Sequence, residues 1–79
     1  MIEDYKIKIL KWLNNHSIEL DIQDDFDKPI SNIDALDSLI VMALIIEIED
    51  ITYKKVPNDI LINSHRLSIN QLVKSALNE

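Results

Sequence analysis

The sequence predicts an all-α fold: one domain over residues 1–79, built as a small helical bundle of three main helices plus one short helix. Three observations carry this. Apolar residues recur at helical spacing in three separate segments. The one alternating stretch, Ile18, Leu20 and Ile22, has no second alternating run to pair with. The chain also shows no internal repeat, low-complexity tract or domain linker, so the helical segments are expected to share a single core.

Residues 3 to about 15 read as the first helix. Ile2, Tyr5, Ile9 and Leu13 form its stripe, and Leu10 and Trp12 widen it. Glu3 and Asp4 place negative charge in the first turn, where the helix dipole favours it. Asn14-Asn15-His16-Ser17 reads as its end. Residues 16–36 read as a long loop. Asp24, Asp25, Asp27, Pro29, Ser31 and Asn32 supply turn chemistry, and Phe26, Ile30 and Ile33 are expected to pin it to the core. A loop of this length inside a small domain is usually functional or disordered. Residues 38 to about 51 form the most apolar helix, with Pro57 beyond it, and residues 58–64 have room for one short helical turn. Ser68 starts the last helix, with Leu67 before it as a hydrophobic staple. Ile69, Leu72, Val73, Ala76 and Leu77 form its stripe.

The formal net charge is −6. That argues against nucleic acid as a partner, because phosphate contacts need clustered Lys and Arg. The small basic group of Lys6, Lys8 and Lys11 reads as a solvated helix face. An acidic domain instead suits basic protein surfaces. The first six residues lack the charge-then-apolar order of a signal peptide, and the longest apolar run, Leu39 to Ile46, is too short to span a bilayer. A cytoplasmic, monomeric protein is the expectation; Met1 and the polar end suggest a free-standing chain, with a piece excised from a larger protein as the alternative. With no cysteine, and with His16 and His65 isolated from each other, no metal-ligand spacing exists. A glycine-rich phosphate loop and a Gly-x-Ser-x-Gly elbow are likewise absent.

Asp37-Ser38-Leu39 sits where the long loop meets the apolar helix. Taken alone, a serine there reads as a helix cap. The wider arrangement resembles the phosphopantetheine-binding acyl and peptidyl carrier family. It has a helix, a long loop, Asp-Ser-Leu at the mouth of an apolar helix, a proline past that helix at Pro57, and then a short and a final helix. The resemblance implies a 4'-phosphopantetheine arm on Ser38, delivered from coenzyme A by a separate phosphopantetheinyl transferase. It also implies Asp37 as the acidic neighbour met by that transferase; read by itself, Asp37 is a capping carboxylate, and the two roles are compatible. The chain would then carry a thioester-linked acyl or aminoacyl cargo between loading and condensing enzymes, and would not itself be an enzyme. The sequence departs from the family in having Ala35 where glycine is common, Thr52 and Tyr53 near an expected aromatic position, and Ile40 and Ala43 where fatty-acid carriers tend to be acidic. Ala35 must therefore avoid positive φ. The Ala35-Leu36-Asp37-Ser38 run is more similar to discrete aminoacyl or peptidyl carriers.

At 100° per residue, Val41, Leu44, Ile45 and Ile48 fall on one side of the second helix, with Ile40 and Ile51 at the margin. Leu39, Met42, Ala43, Ile46, Glu47, Glu49 and Asp50 fall on the other. The three acids mark that side as solvent-facing, and its apolar first two turns adjoin Ser38. An exposed apolar patch with a polar rim suits partner docking. Burial under the long loop or the short helix is the competing expectation. A second functional reading treats the chain as a small helical interaction module in which Ser38 is only a cap. A serine hydrolase reading fails for want of a base oriented toward Ser38.

Overall fold

Apolar residues at helical spacing build a four-helix, strand-free architecture in the computed structural model, which describes residues 2–78. Met1, on which the expectation of a free-standing chain leaned, lies outside them. The helices are α1 (Ile2–Asn15), α2 (Ser38–Thr52), α3 (Asn58–Ile62) and α4 (Ile69–Ala76). The fold is all-α, with three main helices and one short one, as the periodicity predicts. Its Cα radius of gyration of 11.1 Å lies near the value of about 12 Å expected for a packed chain of this length. No helix among the described residues is long and apolar enough to cross a membrane.

One core joins α1, α2, α4 and the long loop, and Ile60 and Leu61 of α3 pack against its edge. Ile9 and Leu13 of α1, Leu44 and Ile48 of α2, and Ile69, Leu72 and Val73 of α4 are fully buried. Burial of side chains this size stabilises by about 1.5–3 kcal/mol each relative to exposure. Tyr5, Leu10, Trp12, Ile40, Ile51 and Leu67 pack around this centre, as the stripes predict.

The helix ends are made without glycine. At the end of α1 the Ile18 amide donates to the Leu13 carbonyl at 2.9 Å, and the Ser17 amide donates to Asn14 at 3.0 Å, with Ser17 at φ 63°. This is the Schellman pattern, with serine in the left-handed position that glycine usually takes. His16 donates from Nδ1 to the Trp12 carbonyl at 2.8 Å, and its ring lies against the Trp12 indole. Tyr53 (φ 58°) ends α2, and Asn78 (φ 62°) follows α4. Ala35 is not among the positive-φ residues, so the loop turns there without glycine.

The loop from 16 to 36 is more ordered than its polar composition suggests. It holds two 3-10 turns, Asp25–Asp27 and Ile30–Asn32. Ile18, Phe26, Ile30, Ile33 and Leu36 are buried, so the loop forms one wall of the core. The expected pins Phe26, Ile30 and Ile33 are therefore in place. The Ile30 amide donates to the Leu67 carbonyl at 2.9 Å, which ties the loop to the entry of α4. There the Ser68 hydroxyl accepts from the Gln71 amide and Gln71 Oε1 accepts from the Ser68 amide, a complete capping box. A contact that periodicity does not reveal is Asn70, buried on α4, whose Nδ2 donates to Asp27 Oδ1 at 2.6 Å.

Candidate functional site at the mouth of helix α2

Asp37 has extended backbone angles and opens α2. Its Oδ1 accepts from the Ile40 amide at 2.9 Å, and its carbonyl accepts from the Val41 amide at 2.9 Å. Asp37 is therefore the N-cap and Ser38 is the first helical residue. This bears out the reading of Asp37 as a capping carboxylate and corrects the expectation that Ser38 is the cap. Of two adjacent residues able to cap, aspartate holds the extended conformation that the position needs. Ser38 is exposed, and among the described residues nothing hydrogen-bonds to its hydroxyl. The Ser38 and Leu39 amides also lack acceptors among those residues, as the first-turn amides of a helix do. The arrangement is an exposed, unengaged hydroxyl beside donors that suit an anion.

A groove of about 620 Å³ begins at Ser38 and runs along α2. Met42, Ile45 and Glu49 line it from α2, Ile30 and Ser31 from one 3-10 turn, and Leu61 from α3. Ser64 and His65 reach it from a third 3-10 turn, Ser64–Arg66. Sequence reasoning missed these loop and α3 residues as groove lining, because they are 7 to 27 positions from Ser38 and converge only in the folded chain. The apolar Ile60-Leu61-Ile62 run after Pro57 was the one local signal.

The outer side of α2 is open. Leu39 is 78% exposed, Met42 63% and Ile46 58%. Neither the loop nor α3 covers them, which decides between the two expectations for this face. Ala43 and Glu47 are half-buried beside the strip, and Asp50 is exposed. Glu49 differs from a free rim charge: its Oε2 accepts from the Val56 amide at 2.8 Å and holds the connection to α3. Between Lys28 and Lys54 the chain has no Lys or Arg, while Asp34, Asp37, Glu47, Glu49 and Asp50 make this part of the molecule acidic.

The chain matches no family model, no curated protein and no solved structure.

Proposed function

We propose that this chain is an acyl or aminoacyl carrier, monomeric and cytoplasmic, that holds its cargo on a phosphopantetheine arm esterified to Ser38. The observation that carries the reading is the state of Ser38: exposed, unengaged, one residue inside a helix capped by Asp37, at the mouth of an apolar groove. A structural serine at this position would be expected to use its hydroxyl in the cap. Here Asp37 does that work and leaves Ser38 free.

The residues present fit the arm. The Ser38 oxygen is the nucleophile. It forms a bond to a phosphorus of coenzyme A as the bond to the departing nucleoside bisphosphate breaks, and its proton passes to a base in the transferase. The resulting phosphodiester would be held by the free Ser38 and Leu39 amides at the positive end of the α2 dipole. When bound, the arm supplies the terminal thiol that a cysteine-free chain lacks. Leu39, Met42 and Ile46 offer apolar contact to the transferase and to loading and condensing enzymes, with Ala43, Glu47 and Asp50 around them. Their acidic setting suits a basic partner surface and speeds encounter.

Incubation with coenzyme A and a promiscuous transferase, followed by peptide mapping, tests the assignment. The added group should map to Ser38.

A further inference from the structure

The exposed strip on α2 has a pattern that fits a second copy of itself. Leu39, Met42, Ile46 and Tyr53 follow one another at intervals of three, four and seven residues, which is the spacing of a coiled-coil seam. Tyr53, at the helix end, is almost fully exposed and extends the seam beyond Ile46. The remaining seam position is Glu49, whose Oε2 is drawn aside to the Val56 amide.

Opposite charges stand at the two ends. Asp37 lies at the start of the strip, and among the described residues nothing donates to its second carboxylate oxygen. Lys54 and Lys55 follow Tyr53, are exposed, and border the same small hollow as Ile46 and Tyr53. Glu49 and Asp50 border that hollow too, yet among the described residues no acid pairs with either lysine. Ile46 is the midpoint. It stands seven residues from both Leu39 and Tyr53, and nine from both Asp37 and Lys55. A strip acidic at its start, basic at its end and apolar between is self-complementary about a two-fold axis through its middle.

We propose that α2 pairs antiparallel with α2 of a second copy, with Ile46 on the axis, Leu39 against Tyr53 of the second copy, and Asp37 against Lys55 of the second copy. In this register Glu47 and Asp50 fall level with Ile45 and Met42 of the second copy, not with each other. The seam residues are few beside the roughly 20–30 per side of a standard interface, so the pair is weak and the dilute chain is monomeric. A net charge of −6 on each copy opposes pairing at low salt. At about 0.15 M salt that repulsion is screened beyond about 8 Å, while the end contacts are closer than this. Pairing covers Leu39, Met42 and Ile46, so it competes with every other protein that docks there.

Sedimentation equilibrium at about 0.15 M salt, from about 10 μM to about 1 mM protein, tests the proposal. The apparent mass should rise from one chain towards two, with half-association between about 0.1 and 1 mM. Met42→Glu should weaken association about tenfold or more. Lys54→Glu combined with Lys55→Glu should weaken it about fivefold or more. All three positions are exposed, and thermal melts check that the variants stay folded. Because the chain has no cysteine, single introduced ones report the register. Ile46→Cys meets its own copy on the axis and should oxidise to a covalent dimer. Leu39→Cys should not, because about 21 Å of helix separates it from its counterpart. Mixed with Tyr53→Cys, it should cross-link. A mass of one chain at the highest concentration overturns the proposal and leaves the strip to other proteins. Variants that associate like the parent, or Leu39→Cys cross-linking to itself as fast as Ile46→Cys, overturn it as well.

Discussion

The Asp37 carboxylate lies 2.9 Å from the Ile40 amide and accepts its hydrogen bond, closing the first turn of α2 around Ser38. This divides labour between two neighbours. Asp37 holds the helix end, and Ser38 stands in it with a free hydroxyl. The division predicts unequal stability effects at adjacent positions.

Asp37→Ala should cost about 0.5–2 kcal/mol through loss of the cap, and Asp37→Asn should cost much less because it keeps an acceptor. Ser38→Ala should stay within about 0.5 kcal/mol of the parent, as exposed positions without special contacts do. Urea unfolding of the three variants measures this. A Ser38→Ala loss as large as that of Asp37→Ala would return the cap to Ser38.

Leu44→Ala and Ile48→Ala should each cost about 2–5 kcal/mol, because both side chains are fully buried in the shared core. Met42→Glu, on the exposed strip, should leave the melting temperature nearly unchanged yet cripple loading by a cognate enzyme. Apolar anchors dominate affinity at docking surfaces. Asp50→Lys should slow loading at low salt and recover as salt rises, because exposed rim charges act mainly on encounter and are screened. Loading kinetics across ionic strength, beside thermal melts, separate these effects. Normal loading of Met42→Glu would remove the strip from recognition.

Much of this arrangement was legible in the sequence, for a physical reason. Burial follows helical spacing, so Ile9, Leu13, Leu44, Ile48, Leu72 and Val73 could be placed before any coordinates. The open strip of Leu39, Met42 and Ile46 could be located on the wheel, but its exposure could not be decided. That depended on where the loop and α3 come to rest. The cap could not be assigned either, because Asp37 and Ser38 are both competent and only the backbone angles choose between them. Glu49 read as a rim charge because its partner, the Val56 amide, belongs to a connection with no periodicity. The two 3-10 turns between residues 25 and 32 escaped for the same reason.

Tyr53 ends α2 in the left-handed region and is 93% exposed, so its ring gains almost no packing in return for that conformation. Tyr53→Gly should therefore raise stability, by up to about 1 kcal/mol, since non-glycine residues there cost about 1–3 kcal/mol and glycine gives part of that back in entropy. Chemical denaturation checks it. A loss on substitution would mean that the tyrosine ring contributes packing.

Asp25 accepts from the Asp21 amide at 2.8 Å and pairs with Lys28 at 3.0 Å. The backbone hydrogen bond first, and Lys28 second, hold the Asp25 carboxyl below the usual carboxylate range, and Asp25 raises the Lys28 ammonium above its own. A lowered folded pKa gives stability that is present above the unfolded value and lost as pH falls through the folded one. The raised Lys28 value gives stability that is present below the unfolded lysine value and lost as pH rises through the folded one. Asp25→Asn should melt lower than the parent between those limits, and the two should converge in strong acid. Melts from pH 2 to 7 with a carboxyl titration by NMR test it. An Asp25 midpoint at or above the ordinary carboxylate value would contradict it.

Intact mass after reaction with coenzyme A and a promiscuous transferase tests the central claim most directly. The native chain should gain one phosphopantetheine increment, and Ser38→Ala, folded as judged by its helical signal, should gain none. No increment in the native chain with a transferase shown to be active on a known carrier, or an increment that persists in Ser38→Ala, would contradict the account.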